Sequence, residues 1–161
     1  MPRAPRTAPA APAPVVPQAD SAAFRVLNEI GIIDQLARTR FERVLPDGLS
    51  VAQFTVLNHF VRLGGEPSLV ALSRAFQVSK PAMGKLVHRL AEHGLLAVRA
   101  DPDDARGKRV TITEAGVAMR HACVAALAPE VAKLRDAFDD DAFDRMLPAL
   151  QRLRTWLDAH R

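Results

Sequence analysis

The sequence predicts a mainly α-helical chain with one small β-hairpin, an α+β fold. Three observations predict it. Between residues 21 and 160, apolar side chains recur mostly at steps of three and four, the period of helices that bury one stripe. The exception is 95–113, where apolar and polar residues alternate on both sides of Asp101-Pro102-Asp103-Asp104 and Gly107, as in two strands joined by a turn. Finally, Ser50, Ser68, Ser79 and Thr113 each stand just before a helical stretch, where a hydroxyl can accept from unpaired N–H groups.

Residues 1–19 hold six of the twelve prolines, many alanines, Arg3 and Arg6, and no acid. Proline removes backbone donors and Ala-Pro repeats offer no amphipathic face, so a disordered, weakly basic arm is expected. A solvated tail accounts for it, and a DNA-tracking arm is the alternative its charge leaves open. From Ser21, Val26, Ile30, Ile33, Ala37, Phe41 and Val44 form one stripe and Phe24, Leu27, Ile32 and Leu36 a second. That helix is expected to be covered on two sides. Pro46-Asp47-Gly48 breaks it. Ser50 and Gln53 open the next helix as a capping box, which turns Phe54, Leu57 and Val61 inward and stops at Gly64-Gly65.

Ser68 caps a short helix that buries Leu69, Leu72 and Phe76, and Val78 is expected to plug the turn after it. Ser79 caps the following helix, with Pro81 in its first turn, where a missing N–H costs little. Met83, Leu86, Val87 and Leu90 form its stripe, and Gly94 ends it. In the hairpin, Val98, Ala100, Val110 and Ile112 are the inward positions. Thr113 caps a long helix with Val117, His121, Val124, Ala128, Val131 and Phe138 on one side and a kink at Pro129. Acids at 139–141 suit a helix N-terminus. Phe143, Met146, Leu150, Leu153 and Leu157 then follow the spacing of a coiled-coil seam, where Pro148 either bends the helix or delays its start.

A chain of 161 residues, 48% of them apolar, suits one domain plus a tail. No run of about eighteen apolar residues exists to span a membrane, and Pro recurs where a secretory signal needs an apolar helix. The single cysteine, Cys123, excludes an intramolecular disulfide and any multi-cysteine metal site. A cytoplasmic location is therefore expected. A net charge of +4 favours polyanions, but its placement decides more than its sum.

The order of three helices, a basic helix and a hairpin is that of a winged helix-turn-helix. In that arrangement one helix braces a second, whose N-terminal residues reach base edges in the major groove. The outward positions of the basic helix are Ser79, Lys80, Pro81, Ala82, Gly84, Lys85, His88 and Arg89. Lys and Arg there can neutralise phosphates or donate to guanine. The hairpin adds Arg99, Arg106, Lys108 and Arg109, and an arginine at its tip suits a narrow minor groove. A merely solvated basic face, or a winged-helix module that binds protein and not DNA, is the competing reading.

Residues 49–116 resemble the MarR family of bacterial regulators. DPDDARGKRVTITEAG is similar to that family's wing signature, Asp-Pro-x-Asp-x-Arg followed by a strand and Thr-x-x-Gly. VSKPAMGKLVHRLAEHGLL resembles its recognition helix, and the flanking helices extend the likeness over nearly all of 21–160. The resemblance implies a homodimer on a pseudo-palindromic operator, acting as a repressor that a small aromatic or phenolic ligand releases. It divides the chain into an arm at 1–19, an N-terminal dimerisation helix at 20–48, the winged helix at 49–113 and C-terminal dimerisation helices at 114–161, with Leu150, Leu153 and Leu157 in the seam. It aligns Ser79, Lys80, Pro81, Ala82, Lys85 and His88 with major-groove contacts, Arg106 with the wing-tip arginine, and Asp104 with the acid that braces it. Gly84 departs from the family's Ser or Thr, and the Ala-Pro arm is not a general family feature.

Other constellations point elsewhere only weakly. Peroxide-sensing relatives carry their reactive cysteine in the first helix, which has none here, so Cys123 reads as a small buried hydrophobe. His88 and His93, and His121 and Cys123, are spaced onto different helical faces, so neither metal nor cofactor is expected. No phosphate loop or nucleophile elbow appears, and an enzyme is not expected. Arg38, Arg43 and His59 are the candidates for lining an effector pocket.

Overall fold

A computed structural model describes residues 21–102, 104, 107–139 and 141–160; the arm at 1–19 and Arg106 lie outside them. Helix α1 (Ala22–Phe41) leads through a 3-10 turn (Pro46–Gly48) to α2 (Val51–Leu63), α3 (Leu69–Ala75) and α4 (Lys80–Glu92). Strands β1 (Leu96–Ala100) and β2 (Lys108–Ile112) follow, then α5 (Glu114–Ala137) and α6 (Ala142–Ala159). The fold is the mainly helical one with a hairpin that the sequence predicts. The chain divides after Leu36 into two compact units, each described by itself.

In the first unit, both apolar stripes of α1 face outward, with Phe24, Ile33 and Leu36 more than half exposed. No residue of α1 is buried, so the expected two-sided cover is not seen among the described residues.

In the second unit, one core joins α2, α3, α4, β2 and α5. Val56, Leu57, Leu72, Met83, Leu90, Val110 and Cys123 are fully buried, and Phe60 nearly so. Each large side chain among them contributes about 1.5–3 kcal/mol by leaving water. The helix starts follow the expected local chemistry. Ser50 Oγ accepts from the Gln53 N–H at 3.3 Å, and Gln53 Oε1 accepts from the Ser50 N–H at 2.9 Å, a complete capping box. Ser68, Ser79 and Thr113 each accept from the N–H three residues on.

Helix α4 stops at Gly94, whose φ of +68° an L side chain would resist. Its N–H donates to the Ala91 carbonyl at 2.9 Å and the Leu95 N–H reaches back to Leu90 at 2.8 Å, a Schellman closure. The hairpin is antiparallel, with Leu96 opposite Ile112, Val98 opposite Val110 and Ala100 opposite Lys108. A short strap at 66–68 lies along its outer edge. There the Val110 N–H donates to the Pro67 carbonyl at 3.1 Å, and Ser68 bridges to Arg109.

Several faces differ from expectation. In α2, Val56 and Phe60 are buried while Phe54 and Val61 are half-buried, because the capping box turns Val51 and Gln53 inward. Val78 is exposed; the turn is made by Gln77, at φ +53°, and by the Val78 N–H bonding to Ser73. Val98 and Ala100 are exposed because only Leu96 of β1 reaches the core. In α5 the buried residues are Gly116, Cys123 and Leu127, whereas His121, Val124, Ala128, Val131 and Phe138 face out. Gly116 decides that rotation, since it lies where the helix meets the backbone of Leu95. Helix α5 continues through Pro129, and α6 starts at Ala142 ahead of Pro148, so that proline does not delay it. Asp141 stands at the N-cap of α6 without a side-chain cap bond.

Two glycine substitutions should separate close approach from free helix. A methyl at Gly84 meets nothing within 4 Å. Gly84→Ala should therefore raise stability by about 0.5–1 kcal/mol. A methyl at Gly116 would strike the Leu95 carbonyl and come within 2.7 Å of Ile112 Cγ1. Gly116→Ala should lower stability by about 1–3 kcal/mol or more. Paired thermal and urea melts of the two variants check both signs.

Candidate nucleic-acid interface

The geometry of α4 follows from its two faces. Met83, Val87 and Leu90 are anchored in the core, and this turns the opposite side to solvent. Ser79, Lys80, Pro81, Ala82, Lys85, His88 and Arg89 are all exposed on that side, and Gly84 is half-buried. Ser79 accepts from Ala82, and Pro81 occupies the opening turn without an N–H to satisfy. The helix N-terminus thus faces outward with its positive dipole end beside Lys80. Lys80 and Lys85 have no ion-pair partner among the described residues, whereas His88 meets Glu92 at 3.3 Å along its own helix.

The hairpin holds its charges differently. Lys108 is exposed. Arg99 pairs with Glu66, and Arg109 Nε donates to the Asp101 carboxylate at 2.7 Å. Both arginines were counted among the hairpin's basic residues, and both bind the hairpin to the strap. Asp104 is exposed, and its carbonyl accepts from the Gly107 N–H at 2.8 Å. The pairing expected between Asp104 and Arg106 falls on a residue outside those described. Between the strap and start of α3 on one side and the hairpin on the other lies a cleft of about 580 Å³, bordered by Ser68, Asp101, Lys108 and Arg109 and by Lys80 at the start of α4.

An exposed, capped, cationic helix beside a hairpin is a winged helix-turn-helix, and known proteins share it. Residues 47–107 match the sequence profile described as the MarR family. The likeness to the MarR family lies in that segment, from the turn before α2 to the hairpin.

Solved MarR-like structures extend the likeness of fold beyond that segment. BpsR of Bordetella bronchiseptica superposes with a TM-score of 0.67 at 25% identity, covering 81% of this chain and 98% of its own. The transcriptional regulator BldR of Sulfolobus solfataricus gives 0.71 at 21% identity, covering 83% and 94%. A MarR protein of Peptoclostridium difficile gives 0.72 at 19% identity, covering 94% and 97%.

The residues considered for an effector are less clearly assembled. The half-buried His59 ring lies 5.1 Å from the Phe76 ring and edge-on to Phe60 at 6.0 Å. Burial, and then the charge of Arg62, hold its pKa below the usual histidine value. Arg38 and Arg43 are exposed at and beyond the end of α1. None of these three lines the cleft beside the hairpin, nor the one bordered by Asp47, Gln53, Arg89 and His93.

A polar contact was missed from sequence. Arg120 of α5 donates through Nε and Nη2 to Asn58 Oδ1 of α2, at 3.1 and 3.0 Å. The two residues are far apart in the chain and carry no shared motif, so only the α2–α5 packing reveals the pair. Among the described residues no group of three His, Cys, Asp or Glu is placed to hold a metal. No described helix is long and apolar enough to cross a membrane.

Cys123 is fully buried, and burial, then the nearby charge of Asp47, pushes its thiol pKa up. The thiolate is the reactive form, so the folded protein should react with a disulfide reagent near neutral pH far more slowly than the urea-unfolded chain. Labelling rates with and without urea check this. Equal rates would mean the thiol is reachable in the native fold.

Proposed function

We propose that this chain is a sequence-specific, DNA-binding transcriptional regulator acting as a homodimer on a pseudo-palindromic operator. The observation that carries the reading is the outward N-terminal face of α4, where Lys80 and Lys85 stand exposed and Lys80 shares a cleft with Lys108 of the wing. On this reading Ser79, Lys80, Pro81, Ala82, Lys85, His88 and Arg89 enter the major groove. Arg106 and Lys108 serve the flanks, with Asp104 bracing Arg106. The protein represses, and a small aromatic or phenolic ligand releases it. BpsR supports the last step by likeness, since its DNA binding is regulated by 6-hydroxynicotinic acid. Its cytoplasmic location and lack of enzymatic activity follow from the same reading.

Dimerisation is supported by the uncovered apolar helices. Phe24, Leu27, Ile30 and Ile33 of α1, and Met146, Leu150 and Leu157 of α6, are exposed, with Leu153 half-buried. So much apolar surface on terminal helices calls for a partner, and a second copy satisfies it. Replacing Leu150 and Leu153 together with Glu should give monomers or insoluble protein, checked by sedimentation. A double variant that remains a tight dimer would remove these leucines from the interface.

Binding of Lys85→Ala and Arg106→Ala to selected and scrambled duplexes at several salt concentrations tests the DNA face. Lys85→Ala should weaken the specific duplex by about 1–3 kcal/mol per half-site. Arg106→Ala should weaken binding more evenly and lower the salt slope by about one counterion per wing. Unchanged affinity and slope in both variants would shift the reading to a winged-helix module that binds protein and not DNA.

A further inference from the structure

The hairpin carries a charge network that DNA contact alone does not explain. Asp101 is only 8% exposed, yet it stands just past the end of β1, next to a cationic surface. Its carboxylate accepts from Arg109 Nε at 2.7 Å, and its N–H donates to the Gly107 carbonyl at 3.1 Å. Arg109 also reaches from Nη1 to the Glu66 carbonyl at 3.3 Å, while the Glu66 carboxylate takes Arg99. Gly107 allows the turn to close over Asp101, because a methyl there would lie 2.8 Å from the Asp101 Cβ. Two arginines from opposite strands therefore converge on the strap, one through its side chain and one through its backbone. A buried carboxylate beside a surface that attracts phosphate works against binding unless it has another task.

We propose that Asp101, acting through Arg109 and Glu66, is a positioning residue that sets the angle of the wing against the recognition helix. The inference rests on the DNA-binding reading for its consequence, but the brace itself is a property of the free protein. Arginine suits the task because one planar guanidinium spans both the carboxylate and the strap carbonyl; a lysine head cannot hold both at once. Arg109 is then a strut and not a phosphate contact. The two roles predict opposite signs. If Arg109 touches phosphate, removing the Asp101 charge raises DNA affinity and Arg109→Lys is harmless. If it is a strut, both changes weaken binding.

The experiment uses the full chain with Asp101→Asn, Arg109→Lys and the double variant, all first checked for wild-type helicity and cooperative melting. In the free protein, amide exchange at 108–112 should accelerate in each variant while α4 is unaffected. On duplexes selected by the wild type, affinity should fall roughly tenfold, the scale of a single-site coupling. The double variant should be no worse than either single one. Hydroxyl-radical protection should be lost on the flanks and kept over the half-sites. Should Asp101→Asn fail to fold, Arg109→Lys carries the same readouts. Unchanged hairpin exchange, higher affinity for Asp101→Asn, or equal loss over flanks and half-sites would overturn the brace. A wild-type protein that protects no duplex would instead remove the DNA-binding reading, with the exchange result still deciding the brace.

Discussion

The backbone of Gly94 and Leu95 is the point on which the second unit turns. The recognition helix ends there, the wing begins there, and α5 is fastened to it. The Leu95 carbonyl accepts from the Thr113 N–H at 3.2 Å, and Thr113 Oγ1 donates to the Gly94 carbonyl at 2.7 Å. The same hydroxyl oxygen caps α5 by accepting from the Gly116 N–H at 3.0 Å. Gly116 then lets α5 settle against the Leu95 backbone without a side chain between them. One threonine and one glycine at helical spacing thus join the exit of α4 to the return of the wing. Three elements acquire fixed relative positions through backbone contacts, which are costly to leave unmade, whereas exposed ion pairs contribute little.

That clasp explains how the exposed cations come to face one way. Helix α4 is rotated by its buried stripe, and its stop at Gly94 sends the chain directly into β1. Lys80 of α4 and Lys108 of the wing therefore border one cleft. Charge is also sorted by depth. Asp101 is buried with an arginine against it, whereas Lys80 and Lys85 stay in water, where a phosphate can meet them without breaking an internal pair. A net charge of +4 is modest, but its arrangement is not uniform. Local placement accounts for more of the electrostatics than the total does.

Elements governed by local chemistry were legible in the sequence. The four caps, the break at Gly64, the stop at Gly94 and the hairpin all depend on side chains bonding to backbone a few residues away. So were the outward face of α4 and the MarR resemblance, because a strong single stripe leaves one orientation. Faces of α2 and α5 were not. Helix α5 offers two apolar arcs, one through Val117, Val124 and Val131 and one through Met119, Cys123 and Leu127, and periodicity alone cannot rank them. The choice is made by Gly116, whose fit against Leu95 appears only in three dimensions. The wing struts were illegible for a related reason. Arg99 and Arg109 look like DNA ligands until β pairing and the strap bring Glu66 and Asp101 to them.

The terminal helices follow a different logic from the winged core. Its core residues are buried by elements of the same chain, so its stability is largely internal. By contrast, neither α1 nor α6 contains a buried residue, although both carry apolar side chains on repeating faces. On the proposed reading that contrast has a mechanical consequence. A stable reading head can be carried between two positions without being remodelled, while the helices that carry it gain most of their packing from a second copy. The distance between two recognition helices is then set by the least self-sufficient part of the chain. A ligand needs to bias only the terminal packing by a few kcal/mol to change that distance, because the DNA-facing residues themselves stay in place.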